Sequence, residues 1–555
     1  MAGFVTRWFV GSATALRTAL AEPRLKRVQL AWIGSTSGEF LSAVAFGLFA
    51  YAVGGATAVG IVALVQMVPA MLISPFAGVL GDRLRRELVV IGTDVVRAAA
   101  MALAAIAAAA DAPAATVYLL AAIVAIVSQA FYPAQMALVP LLARSADDVT
   151  AASAASSLIR NAASLLAPAL SGLVLLVADE SVLFALAAVA FGLAALILVG
   201  VGRTDSVRSA PPVSGRLQEL ASGFRMAAQD RAIALVLGLF AVHGIARGSM
   251  GVLLVVVPLE LLGTSEAGVG FVTAVLGFGG LVGAVATAGL VGRRTIAAAM
   301  TKALTVTGGA LVLAGAVPAP AIVILCVAAV GVGFAVVSVV GSTLLVRSTR
   351  DDVLARVIGV LGSVRSGSMA LGSILAAALV AVGGAQLALL VTGIVLVVAA
   401  AVARLGVRVL DARSEVPEVE LRLLRAAPVF APILPVALER LAARLEPIVV
   451  PSGTEIVRQG DPGDCVYLVA EGDFAVETDG RVLSHLGPCD LVGEMALLRN
   501  APRNATVRAV QASRVYRLER SEFLAAVTGH PVSTREATDL IATRLELRRR
   551  TLDDG

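Results

Sequence analysis

Ala77-Gly-Val-Leu-Gly-Asp-Arg83 returns further along the chain, altered, as Ala288-Gly-Leu-Val-Gly-Arg-Arg294. Arg144-Ser-Ala-Asp-Asp-Val149 returns in the same order, and at a similar separation, as Arg347-Ser-Thr-Arg-Asp-Asp-Val353. Two echoes in register divide most of the chain into two related halves. The sequence around them says what kind of halves these are.

The chain has 555 residues, 58% of them hydrophobic, with only 15% charged, and a mean hydropathy of +0.90. Up to about Val407 the charges punctuate apolar blocks of about 20 residues, the length that crosses a bilayer. About twelve such spans are expected, near 28–53, 57–80, 88–110, 115–142, 151–177, 181–202, 233–259, 268–291, 296–317, 321–346, 354–382 and 386–407. Open backbone cannot face lipid, so each is a helix. The expected fold is therefore an all-α polytopic membrane domain of two six-helix halves, 28–202 and 233–407, joined by a central loop, 203–232. A linker, 408–427, then leads to a domain of soluble composition, 428–555. Repeated membrane halves are a feature of transporters.

The turns near Gly54, Asp111, Asp179, Thr264, Pro318 and Gly383 carry no Lys or Arg. Arginines mark the alternate connections: Arg83, Arg85 and Arg86, then Arg144, Arg203 to Arg231, Arg293 and Arg294, and Arg347 to Arg356. The positive-inside rule makes that face cytoplasmic, with both termini inside and the chain multi-pass in the plasma (inner) membrane. Arginines so placed explain the net charge of +5 without a nucleic-acid partner. Three cysteines, Cys326, Cys465 and Cys489, give no disulfide framework or metal spacing. Residues 1–27, with Phe4, Val5, Trp8, Leu16 and Leu20 as an apolar stripe, read as an amphipathic helix on the cytoplasmic face rather than a cleaved signal peptide.

Gly78-Val-Leu-Gly-Asp82-Arg83-Leu-Arg85-Arg86 resembles the signature loop of the major facilitator transporters, departing at Arg85 where that family usually has Gly. The resemblance implies roles for Gly78 in close helix approach and for Asp82, Arg83 and Arg86 in latching one conformation. Ala167-Pro168-Ala-Leu-Ser171-Gly172 resembles the Gly-Pro motif of family antiporters, with Ala and Ser replacing Gly, which implies an exporter. The plainer reading of that segment is ordinary small-residue packing beside a proline kink.

Ionisable residues deep in a span are costly and usually functional. Glu39 in span 1, Arg160 in span 5, His243 and Arg247 in span 7 and Arg365 in span 11 are the candidates for a transport cavity or coupling site. Asp94 and Arg97 in span 3 lie nearer the cytoplasmic side. Three arginines against one glutamate favour an anionic or amphipathic small-molecule substrate. Internal pairing of Glu39 with one Arg, with the other side chains snorkelling, is the competing account. Glu39 and His243 could carry a coupled proton.

In the soluble part, Ile456-Val-Arg-Gln-Gly460-Asp461-Pro-Gly463 through Gly472 resembles the first signature of cyclic-nucleotide-binding domains. Gly493-Glu494-Met495-Ala496-Leu497-Leu-Arg-Asn-Ala-Pro-Arg503-Asn504-Ala505-Thr-Val507 resembles their phosphate-binding cassette. That likeness implies a β jelly roll with flanking helices and a bound cyclic nucleotide, cyclic AMP first and cyclic GMP as the alternative. It implies Arg503 on the cyclic phosphate and Glu494 on the ribose 2′-hydroxyl. Amides near Ala496 and Ala505 would complete the cradle, with Met495 and Leu497 packed beside it. Asn504 departs from the Ala, Ser or Thr usual after the arginine, which opens the choice of base. The tail from Thr534 to Leu552 reads as a further helix.

No catalytic residue, metal ligand or cofactor is indicated, and no nucleophile–base pair supports an enzyme. The leading reading is a secondary active transporter, an exporter, regulated by cyclic nucleotide in the cytoplasm. The alternatives are a non-transporting receptor anchored in the membrane and a cyclic-nucleotide-gated channel-like protein.

Overall fold

A computed structural model describes residues 22–83, 85–143, 146–201, 224–288, 296–349, 351–413, 418–427 and 435–528, with 429, 430 and 433. The N-terminal apolar stripe and the tail helix expected over 534–552 lie outside the described residues, as do the side chains of Gly78, Asp82 and Arg83. The chain divides into two compact units, the second beginning at Glu415.

Ten helices of the first unit are long and apolar enough to cross a membrane. Two of them are doubly long: Pro23–Arg83 breaks at Gly54-Gly55 and Asp351–Arg413 breaks at Gly383-Gly384. Each break therefore separates two spans, and the count becomes the expected twelve. The second glycine of each pair has φ near +61° or +73°, a region open to glycine at no steric cost. Spans 3 to 6 are Arg86–Ala109, Ala114–Leu142, Ala146–Val174 and Glu180–Val199. Spans 7 to 10 are Arg231–Val256, which runs on as a π-turn over Val257–Leu261, then Ala267–Ala288, Ile296–Ala316 and Pro320–Ser348. Helix also occupies 224–229, inside the stretch expected as the central loop. Apolar side chains are left outward on these helices, as at Leu196 and Leu325, which suits a lipid solvent.

Small residues let the halves meet. A Cβ placed on Gly270 of span 8 would run into the Gly172 backbone of span 5, and one on Gly277 would strike the Ser164 carbonyl. Gly60 of span 2 lies equally close against Ala377 of span 11. With no room for a side chain, packing rests on backbone-to-backbone dispersion. Gly172, Gly270, Gly60 and Ala377 all sit toward the end whose turns lack Lys and Arg, so the halves are closed there.

The second unit is a β jelly roll. Strands β1 Glu446–Val450, β2 Glu455–Val457, β3 Cys465–Glu471, β4 Phe474–Thr478, β5 Arg481–Leu486, β6 Leu491–Val492, β7 Thr506–Ala509 and β8 Ser513–Glu519 form two antiparallel sheets, ordered β1-β8-β3-β6 and β2-β7-β4-β5. Val469, Phe474, Val492, Val507 and Val515 fill the space between the sheets. Helices α1 Glu418–Ala426, α2 Pro435–Ala442 and α4 Arg520–Thr528 cover the outer side through Leu424, Leu438 and Phe523, joined by Phe430 from the turn after α1. A short α3, Glu494–Arg499, interrupts the strands between β6 and β7. Gly460 and Gly472 take φ of +90° and +108° at turns, whereas Gly463 serves by size, since a Cβ there would press on Ala496 and Leu497.

Candidate functional site

The jelly roll holds a cavity of about 360 Å³ between the β4–β5 hairpin and α3, a volume in the usual range for a small-molecule pocket. Gly493, Glu494, Met495, Ala496, Arg503, Asn504 and Ala505 line it, so one wall carries seven of the eight residues of the expected cassette. The eighth, Leu497, is buried in the helical core beneath.

Arg503 is 5% exposed. Its Nη1 donates to the Gly493 carbonyl at 2.8 Å and its Nη2 to the Cys465 carbonyl at 2.7 Å. Nη2 also meets the Asp464 carboxylate at 3.3 Å. The guanidinium is thus aimed before any ligand arrives. Gly493 is required twice over: its φ is +86°, and a Cβ would collide with the Arg503 guanidinium. Glu494, 1% exposed, opens α3 at the cavity wall, where the first-turn amides have no partner within the helix. A buried cation, a carboxylate and free amides on one wall can together bind an anion bearing a hydroxyl. Burial pushes the Asp464 carboxyl up, but the Cys465 thiol and the charges of Arg503 and Arg517 outweigh it, leaving that carboxyl below its ordinary range.

Sequence reading passed over the opposite wall. Val476, Thr478, Leu483, Ser484, His485 and Leu486 line it from β4 and β5. Thr478 is 3% exposed and its hydroxyl has no partner in the structure. The signal was the β4 alternation, Phe474, Val476, Thr478, which puts all three on one face.

In the membrane unit, Glu39 and Arg160 form an ion pair at 3.2 Å. Tyr132 of span 4, which the sequence reading did not single out, donates to Glu39 at 2.6 Å and accepts from Arg160. Arg160 also lies over the rings of Phe40 and Tyr132. His243 is buried, edge-on to Phe334 with ring centroids 5.0 Å apart. Arg247 lies over the other part of the same site, 5.3 Å from the Phe334 centroid. Arg365 lies on span 11, whose Ser368 side chain and Arg365 carbonyl meet span 7 at Gly244. Asp94 and Arg97 form a separate buried pair at 3.3 Å, closed by Ser35 and Ser128 and by Phe131 under the guanidinium. Arg86 of the signature loop ties to the Ala137 carbonyl of span 4 at 2.8 Å.

Residues 17–430 match the transmembrane secretion effector family. The chain belongs to that family of major facilitator transporters. Across the family region, a crystal structure of a nucleoside transporter superposes with a TM-score of 0.59, covering 69% of this chain and 99% of that one at 14% identity, which shows the fold alone. Residues 447–530 match the cyclic nucleotide-binding domain. There the chain is 41% identical over 91 residues to a cAMP-dependent protein kinase regulatory subunit of Dictyostelium discoideum, covering 15% of this chain and 28% of that protein. It is 36% identical over 110 residues to a cyclic nucleotide-gated potassium channel of Mesorhizobium japonicum, covering 20% and 30%. The cyclic AMP receptor protein of Thermus thermophilus is 32% identical over 127 residues, covering 22% and 59%. The chain spans less than two thirds of each of these relatives. The transporter fused to a nucleotide-binding domain is therefore one family's membrane fold joined to a sensor that others carry in different settings.

Proposed function

We propose that this family member is a secondary active exporter in the plasma membrane whose flux is set by cyclic AMP. The observation that carries it is Arg503, buried and already aimed across a cavity that Glu494 also lines. Relatives named for cyclic AMP support that nucleotide, and Asn504 on the cavity wall keeps cyclic GMP as the competitor. The family's description as secretion effectors supports the outward direction. Glu39, Arg160, His243, Arg247 and Arg365 form the transport and coupling site in this reading. Gly78, Asp82, Arg83 and Arg86 latch the face bearing the arginines. Both termini and the nucleotide-binding domain are cytoplasmic, and the functional divisions are 28–202, 203–232, 233–407, 408–427 and 428–555.

The test begins with metabolite profiling of membrane vesicles with and without the protein, to name a carried compound. Flux of that compound into proteoliposomes is then measured with saturating cyclic AMP, with cyclic GMP and with neither. Saturable flux altered by cyclic AMP is expected. Ohmic current would indicate a channel, no flux an anchored receptor, and flux indifferent to either nucleotide would remove the regulatory role.

A further inference from the structure

The two halves treat their membrane-embedded charges differently. In the first half Glu39 is engaged by Arg160 and by Tyr132, so that cluster is neutral within itself. The second half has no such arrangement. Among the described residues, neither Arg247 nor Arg365 has a carboxylate in ion-pair or hydrogen-bond contact. Arg247 lies between Gly244 and Gly248 of span 7, and the Arg365 carbonyl of span 11 meets Gly244, so the two arginines leave the same helix crossing.

The geometry brings Arg247 and Arg365 there for a local reason. Gly244 and Gly248 of span 7 leave no room for a Cβ against Ser368 and the backbone of Met369 in span 11. The two helices cross at backbone contact, and Arg247 and Arg365 leave from that crossing. Arg247 and Arg365 are both exposed, so neither guanidinium is sealed off from an incoming ligand. Phe334 is buried and supports both the Arg247 guanidinium and the His243 ring. Cations held near one another without a counter-charge repel one another.

We propose that Arg247 and Arg365 are the anion-binding half of the transport site, and that its substrate carries an anionic group. The carboxylate, sulfate or phosphate group meets the two guanidinium groups. Arg160 is withheld from the anion while Glu39 is charged, because Glu39 and Tyr132 occupy it. This deepens the transporter reading and rests on it for the word substrate, but binding can be measured without flux.

The test uses the full chain, purified in neutral detergent, with thermal unfolding as the readout. Sulfate and glycerol 3-phosphate are the soluble probes and phosphatidylglycerol is the lipid one. Wild-type protein should gain stability saturably with the anions. Arg247→Gln combined with Arg365→Gln should weaken that apparent affinity about tenfold or more, the worth of a lost charge-assisted contact. Without anion, the same double variant should melt higher than wild type, because the repulsion is gone. A double variant that melts lower without anion, or that is protected as well as wild type, overturns the proposal. So does a wild type that none of the probes protects. Protection by the soluble anions identifies a free anion, and protection by phosphatidylglycerol alone identifies a lipid headgroup. Anion protection in a protein that carries no flux would retain the site and remove the transport reading.

Discussion

Arg503 is a charge almost wholly out of water, satisfied by carbonyl oxygens rather than by a buried acid. Its one carboxylate contact, Asp464, is largely exposed to solvent, so a nucleotide phosphate would add a counter-charge from the cavity side. Arg503→Ala should lower cyclic AMP affinity by about 100-fold or more, from charge-assisted bonds worth roughly 1.5–3 kcal/mol each. Calorimetry on the full chain measures this, and an unchanged Kd would remove Arg503 as the phosphate ligand. Thr478 presents a buried hydroxyl with no partner to the same cavity, where a ligand atom can complete its hydrogen bond. Thr478→Val should therefore cost about 1 kcal/mol of binding, roughly fivefold in Kd, with little loss of fold stability. Equal affinity in that variant would mean that the ligand does not reach β4. Asp464 sets a pH limit. Its carboxyl is held below the ordinary range, so its contribution to stability is full above about pH 4 and fades as pH falls through the depressed value. Asp464→Asn should flatten that part of the acid limb in a melting-temperature profile. Arg503 and Glu494 were legible because a contiguous motif carries them. Thr478 was not, because its role depends on which hairpin faces the cassette. Tyr132 escaped notice for a similar reason: one hydroxyl in an apolar span has no periodic signature until Glu39 and Arg160 are seen around it.

The spans were legible as elements because lipid fixes their length and their backbone bonding. The jelly-roll strands are shorter, and only the glycine-bearing motifs announced them. What the pattern could not say is which helices touch. The contact of span 5 with span 8 is made by Gly172, Gly270 and Gly277, whose meaning is invisible until the partner is known. Gly270→Leu should drive those helices apart, abolishing flux while leaving membrane insertion intact. Gly251 of span 7 faces open space, so Gly251→Leu is the matched control and should retain near wild-type flux. Flux surviving in Gly270→Leu would show that the close contact is dispensable for the transport cycle.

At the scale of the molecule, a nucleotide can bias the membrane unit only through a difference in its affinity for the two conformations. Couplings of this kind are typically 1–3 kcal/mol, or 5–150-fold. Reciprocity makes the claim strict. If Gly270→Leu locks one conformation, it must change cyclic AMP affinity in the direction that matches the nucleotide's effect on flux. Identical Kd values in wild type and a demonstrably locked variant would mean that the two units work independently. The glycine pairs that interrupt the long helices have a practical consequence as well. Gly54-Gly55 and Gly383-Gly384 reverse the chain with almost no peptide outside the helices. Proteases need an extended stretch of several exposed residues, and antibodies need a surface to grip. With those turns outward, as the proposed orientation has them, protease applied to intact cells should leave the chain uncut at both, and an epitope would have to be inserted there, because these two turns themselves offer almost nothing to recognise.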